Sequence, residues 1–97
     1  NVSKIGKSVF SGCTSLKSVK LTDKITTIDN YAFNGCTALT EITIPNSVET
    51  IGNYAFYKCT SLVDELVIPS SVKTIGDYAF AEDNKITSIF YCFYIIK

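Results

Sequence analysis

The sequence predicts an α/β solenoid, in which one short unit is stacked four times around a continuous core. The first observation is a repeat: the segment from Ile51 to Leu62 recurs with few changes from Ile28 and again from Ile5. A shorter copy begins at Ile75. These starting points give a period of about 23 residues, which is typical of a solenoid. The second observation is that polar and apolar residues alternate after each copy, which is the period of a half-buried strand.

The 97 residues divide into four units, which we expect to form a single domain over residues 2–94. The units are residues 2–24, 25–47, 48–71 and 72–94. Because the third unit is one residue longer than the others, we expect a β-bulge or a widened loop where its strand begins. Residues 92–97 depart from the repeat and form an atypical apolar end.

The alternating part of each unit is rich in Ile, Val, Leu and Thr, which predicts strands near residues 18–21, 41–44, 65–68 and 88–91. Pro45 and Pro69 end the second and third of these strands, since proline lacks the donor that a ladder needs. A second, shorter extended segment is expected around the next Val-x-x-Ile. We expect equivalent strands of successive units to pair in parallel.

The Tyr-Ala-Phe segment of each unit predicts one short helical turn. Three units place an amide or carboxylate side chain before it, able to accept from first-turn amides: Asn30, Asn53 and Asp77. Gly12 and Gly35 follow the segment and predict a left-handed ending. Lys58 and Glu82 hold that place in the later units, which predicts a different ending there.

Stacking of the units predicts columns of like residues. The phenylalanine of each unit is expected to join a buried spine made of Phe10, Phe33, Phe56 and Phe80. The tyrosines before them form a second column of Tyr31, Tyr54 and Tyr78. Tyrosine is frequent in interfaces, but we favour packing of these rings on each other.

The third unit carries the residues of a known repeat at nearly every fixed place: Ile51, Gly52, Ala55, Phe56, Cys59, Leu62, Ile68, Pro69, Ser71 and Val72. With its copies, it resembles the BspA-like leucine-rich repeats, whose unit is about 23 residues long. The resemblance implies a right-handed solenoid with a parallel sheet on one face. It also implies a secreted or cell-surface protein of bacteria or protists that binds proteins and mediates adhesion. The repeat motif specifies no ligand-binding residue.

Cys13, Cys36 and Cys59 recur at one place in the repeat, which raises the alternatives of a metal site, a disulfide ladder and buried thiols. Metal motifs place cysteines a few residues apart and add histidine or further cysteine, whereas here the cysteines lie a whole repeat apart and histidine is absent. We favour buried free thiols and expect no metal or cofactor. Asp83 replaces the cysteine in the fourth unit and predicts a more polar, more exposed end layer.

Composition argues against several classes of function. Nine basic and nine acidic residues cancel, which gives no basis for binding nucleic acid. The first unit alone has a net charge of +4, which we interpret as uneven surface decoration. Without histidine no ordinary nucleophile–base pair can be assembled, so we expect no enzyme. The longest apolar run, residues 89–96, is too short to be a transmembrane helix.

The binding face is expected where strand side chains point away from the core, since solenoids use their extended sheet faces for partners. The predicted protein-binding residues are Ser18, Lys20, Glu41, Thr43, Glu65, Val67, Ser88 and Phe90. The predicted function is therefore a non-enzymatic protein-binding or adhesion module, with a protein or cell-surface ligand on this face.

The alternative is a structural unit that stacks end to end into a longer solenoid or filament. The apolar residues Phe93, Tyr94, Ile95 and Ile96 stand where other units have a polar turn. This run is interpreted in three ways: as a cap over the last layer, as the start of further sequence, or as a surface for homo-oligomer formation through the solenoid ends.

Overall fold

The computed structural model describes residues 3–62, 64–83 and 86–91, and the side chains of 3–62 and 66–83. These residues form six strands and no helix. The strands are β1 (Lys4–Ile5), β2 (Thr27–Ile28), β3 (Thr50–Ile51), β4 (Asp64–Ile68), β5 (Thr74–Ile75) and β6 (Ile86–Tyr91).

Two parallel sheets show that the units are stacked. The first sheet has four short strands in the order β1-β2-β3-β5, with the same residue of each unit in register, from Ile5 through Ile28 and Ile51 to Ile75. This sheet confirms the second, shorter extended segment. In the second sheet β4 and β6 pair in parallel. The chain is thus a solenoid of stacked units, each unit lying against its neighbours.

The strand predictions are confirmed in the second half of the chain but not in the first. Strands near residues 65–68 and 88–91 are confirmed as parts of β4 and β6, and the register shifts between Asp64 and Glu65, close to where the extra residue predicts an irregularity. The strands predicted at 18–21 and 41–44 are wrong, because a single bridge between Ser18 and Glu41 joins those segments. Their side chains alternate as a strand requires, but their backbones do not continue the pairing.

The short helical turn predicted at each Tyr-Ala-Phe segment is also wrong. Every second amide of this segment donates to a carbonyl of the next unit and not to one in its own unit. In each case the phenylalanine amide donates to the alanine carbonyl of the next unit, over 2.9 Å for Phe10, 2.7 Å for Phe33 and 2.8 Å for Phe56. The amides in between close tight turns, as from Ser11 to Ser8 over 3.1 Å. A helix directs its amides along its own axis, so these bonds between units exclude one.

The left-handed ending of this segment occurs in all four units. Gly12 and Gly35 have φ of 74°, while Lys58 and Glu82 have φ of 59° and 63°. The different ending expected at the lysine and the glutamate is therefore wrong. A residue with a side chain loses about 1–2 kcal/mol in this conformation. The Lys58 amide donates to the carbonyl of Ala81 over 3.0 Å, as the Gly12 and Gly35 amides donate to carbonyls of the next unit.

The phenylalanine spine is confirmed. Successive rings are stacked with centroids 5.3 Å, 5.1 Å and 5.2 Å apart. Phe33 and Phe56 are fully buried, whereas Phe10 and Phe80 are partly buried at the two ends of the spine. The core is therefore continuous along the stack.

Asparagines connect the units in a way that the sequence did not predict. Asn30 Oδ1 accepts from the amide of Asn53 over 2.7 Å, and Asn53 Oδ1 accepts from the amide of Asp77 over 2.8 Å. The expectation that these side chains accept from first-turn amides of their own unit is wrong. A Cβ at Gly52 would lie 2.5 Å from Asn30 Oδ1, so this ladder requires glycine beside it.

Candidate functional site

The predicted binding face is presented to solvent wherever its side chains are described. Ser18, Lys20, Glu41 and Thr43 are exposed, and Val67 has 52% of its surface accessible. The residues between them pack against the core: Val19, Leu21, Ile42, Ile44, Leu66 and Ile68. The alternation thus separates a solvent face from a core face, as the sequence predicts.

The face is brought together by the bridge and by the second sheet. Ser18 lies opposite Glu41, Glu65 opposite Ser88, and Val67 opposite Phe90. For Glu65, Ser88 and Phe90 the structure describes the backbone alone. Phe93, Tyr94, Ile95 and Ile96, predicted for self-association, lie outside the described residues.

A concave site lies on this face between the first two units. It is lined by Ser18–Leu21 on one wall and Glu41–Thr43 on the other, with a cavity volume of about 440 Å³. We call this site the groove. Val19, Leu21 and Ile42 are half-buried and give the groove an apolar base. Four of the predicted binding residues therefore line one cavity.

The backbone along the groove is largely unpaired. Beyond the bridge at Ser18 and Glu41, the amides of Lys20, Leu21 and Thr43 make no hydrogen bond to any described residue. Before the bridge, the Thr40 amide still donates to the carbonyl of Lys17 over 3.0 Å. Polar backbone groups without a protein partner are satisfied by water or by a ligand.

The charge around the groove is asymmetric. Five exposed lysines belong to the first unit, at positions 4, 7, 17, 20 and 24, against Asp23. Lys4 lies 3.8 Å from Asp29 in an exposed pair, which neutralises little of this charge. On the opposite wall Glu41 places one carboxylate. Of the five lysines only Lys20 lines the groove, so the first-unit wall carries one cation and the second-unit wall carries one carboxylate.

The cysteine column is made of free thiols, of which Cys36 and Cys59 are buried as predicted, whereas Cys13 is half-buried. Cys36 Sγ donates to the carbonyl of Phe10 over 3.1 Å, and Cys59 Sγ donates to that of Phe33 over 3.2 Å. Desolvation by burial raises the pKa of the Cys36 thiol. It raises the pKa of Cys59 to about 12, with further contributions from Asp83 and Cys36. These two thiols stay protonated near neutral pH.

The expectation of a more exposed end layer is wrong at Asp83, because only 8% of its surface is accessible. Its Oδ1 accepts from the Cys59 amide over 2.7 Å, and its Oδ2 has no partner among the described residues. Desolvation raises the pKa of the carboxyl to about 8, against the hydrogen bond from Cys59. Its place in a column of buried cysteines was the sequence signal for this burial.

The tyrosine column is confirmed as a packing feature. Tyr31 and Tyr54 stack with ring centroids 5.1 Å apart, Tyr54 and Tyr78 with centroids 5.3 Å apart, and Tyr57 meets Tyr54 edge-on. Desolvation and then the neighbouring phenols raise the pKa of Tyr54. Because neighbouring rings stack face to face, the ring faces between them are covered by each other.

Within the described ranges, no cluster of three or more His, Cys, Asp or Glu side chains lies close enough to hold a metal ion. No helix in those ranges is long and apolar enough to cross a membrane.

The chain belongs to the BspA type leucine rich repeat family. The family model, described as a BspA type leucine rich repeat region of six copies, matches residues 1–96. That description differs from our division into four units. A search of the curated proteins found no match.

Several solved bacterial structures share the fold. A leucine rich repeat protein of T. pallidum is 41% identical, with a TM-score of 0.87 over 91% of this chain. A leucine rich cell surface protein of Faecalibacterium prausnitzii is 32% identical, with a TM-score of 0.82 over 89% of the chain. A leucine-rich repeat protein of Bacteroides ovatus is 27% identical, with a TM-score of 0.74 over 93%. The match spans 41%, 22% and 29% of those proteins.

Proposed function

We propose that this chain is a non-enzymatic module that binds a protein ligand on its solvent-facing strand residues and serves adhesion. The observation that carries the proposal is the groove, where Ser18, Lys20, Glu41 and Thr43 line one concave site. A continuous core supports this site from beneath, because Val19, Leu21 and Ile42 pack against it. Val67 extends the same face toward the third and fourth units.

A secreted or cell-surface location is part of this proposal. It is supported by the family and by the similarity to a bacterial protein described as a leucine rich cell surface protein. We further propose that residues 2–94 act as one domain of four units, since the first sheet runs through all four.

The test is a screen against purified extracellular and surface proteins by biolayer interferometry, followed by a matched pair of variants. Thr43→Arg places a large cation in the groove, whereas Thr74→Arg places the same group at an exposed residue of β5. For a protein found to bind, we expect Thr43→Arg to weaken affinity about ten-fold and Thr74→Arg to leave it within about two-fold. Equal effects of the two variants would contradict the proposal.

Assembly through the solenoid ends remains the alternative for residues 93–96. Light scattering on the wild type and on the double variant Phe93→Asp, Ile95→Asp tests it. A wild-type chain that is monomeric at high concentration excludes this alternative. A wild type that forms oligomers, together with a double variant that is monomeric, supports it.

A further inference from the structure

We propose that the groove binds an extended, acidic segment of a partner polypeptide, which pairs with the backbone that the first two units leave open. This inference rests on the proposed function, because it takes the sheet face to be the binding face. It adds the chemical class and the conformation of the bound segment.

The unpaired backbone argues for a polypeptide. The amides of Lys20, Leu21 and Thr43 lack partners among the described residues, and these three residues line the cavity. Successive amides of an extended segment point to opposite edges, so one of the Lys20 and Leu21 amides faces the second unit. An extended chain carries carbonyls and amides on alternating sides at about 3.3 Å per residue, so it can offer carbonyl acceptors to such amides. Recognition of a strand by exposed strand-like backbone is a recurring mode of peptide binding.

The lining of the groove suits an extended segment with alternating side chains. Successive residues of such a segment point in opposite directions. One set therefore contacts the apolar base formed by Val19, Leu21 and Ile42, and the other set faces the exposed side chains of the rim. A partner with small apolar residues at every second position fits this arrangement.

Charge selects the remaining side chains of the partner. Lys20 lines the groove, and Lys17, directly before the first lining residue in the sequence, is exposed, within a unit whose net charge is +4. Carboxylates on the bound segment are attracted to this wall. Glu41 on the opposite wall repels them, which places the acidic side of the segment toward the first unit.

The second sheet provides a comparison within the same molecule. There β4 and β6 pair with each other from Asp64 to Ile68, so the two strands satisfy their facing backbone groups without a ligand. The two regions have the same alternation of inward and outward side chains. The inference therefore places the bound segment at the first two units and not between β4 and β6.

The test uses a blocked peptide of about eight alternating Glu and Val residues, an extended length that covers the groove. Two control peptides are matched to it: one with Lys in place of Glu, and one with every second amide N-methylated. Amide hydrogen exchange is followed by NMR at Lys20, Leu21, Thr43 and in β4. We expect the Glu–Val peptide to slow exchange about ten-fold at Thr43 and at whichever of Lys20 and Leu21 faces the second unit, and to leave β4 unchanged. Unchanged exchange at millimolar peptide, or equal slowing by either control peptide, would overturn the inference.

A pair of charge reversals sharpens the test. Lys20→Glu reverses the charge on the groove wall, and Lys73→Glu makes the same change at an exposed residue of the fourth unit. We expect Lys20→Glu to weaken binding of the Glu–Val peptide about five- to ten-fold and Lys73→Glu by less than about two-fold. Equal weakening by both variants would show that net charge alone attracts the peptide, which contradicts a built site.

The outcomes separate this inference from the proposed function. If the peptide gives no protection while a protein ligand still distinguishes Thr43→Arg from Thr74→Arg, the peptide inference fails and the proposed function stands. If the peptide protects the groove amides while a protein ligand is insensitive to Thr43→Arg, the proposed function fails for that ligand.

Discussion

The first two units and the last two units carry the same alternation of inward and outward residues, yet they pair differently. In the last two units β4 and β6 match over five residue pairs, from Asp64 with Ile86 to Ile68 with Tyr91. In the first two units one bridge, Ser18 with Glu41, is followed by the open groove. The alternation of polar and apolar residues decides which side chains face the core. It does not decide whether the backbones of neighbouring units form hydrogen bonds.

The largest expected effect contrasts the middle of the phenylalanine spine with its end, because each half of the chain has one fully buried and one partly buried ring. Phe56 in the third unit is fully buried, whereas Phe10 in the first unit is partly buried. We expect Phe56→Ala to lower the free energy of unfolding by about 3–5 kcal/mol and Phe10→Ala by about 1–2 kcal/mol, because the end of the spine loses less contact and relaxes more easily. Denaturant unfolding followed by circular dichroism measures both. Equal losses would break the comparison.

The next expected effect concerns pH and lies in the last two units, where Asp83 occupies the cysteine column. Because its pKa is raised from 3.8 to about 8, the folded protein binds a proton that the unfolded chain has released between these values. Stability is therefore highest below pH 4 with respect to this group, and falls as the pH rises through about 8. We expect a loss of roughly 2–4 kcal/mol between pH 5 and pH 8.

The control for this prediction is Asp83→Asn, which keeps an oxygen to accept from the Cys59 amide and removes the titration. The free energy of unfolding of this variant is expected to be flatter over the same pH range. Parallel curves for the wild type and the variant would exclude Asp83 as the source of the pH dependence.

The smallest expected effect tests a conformation that the two regions share. Gly12 and Lys58 hold equivalent left-handed positions, and a Cβ at Gly12 would meet no atom within 4 Å. We therefore expect Gly12→Ala to lower stability by about 1 kcal/mol through the backbone alone, and Lys58→Gly to raise it by about 0.5–1 kcal/mol. The change at Lys58 also removes its contact with the Tyr57 ring, 5.4 Å from Nζ, which limits the gain. Thermal unfolding measures both changes, and two changes of the same sign would contradict the prediction.

Sequence periodicity was enough to predict the layers and the columns. Phe33, Cys36 and Leu39 recur with the repeat, and stacked units place like residues in contact. The helical turn was not predictable in the same way, because turn propensity describes bonds within a unit while the Phe33 amide bonds to the next unit.

The groove was predicted in part. Alternation identified Lys20 and Thr43 as outward residues, and the structure places both on one cavity. The backbone between them is unpaired because of the way in which the two units pack on the core. The periodicity of the side chains does not predict that packing. The sequence analysis also missed the hydrogen bond from the Asn53 amide to Asn30 Oδ1. Gly52 in the next unit was a signal for it, because a Cβ there would clash with the Asn30 side chain.

Amide hydrogen exchange in the free protein tests the central claim, that the first two units leave their strand backbone open while the last two close it. We predict that the amides of Lys20, Leu21 and Thr43 exchange at least about a hundred-fold faster than the amides that join β4 to β6. Comparable protection in the two regions would show that the first two units are paired like the last two, and would contradict both the open groove and the peptide site built on it.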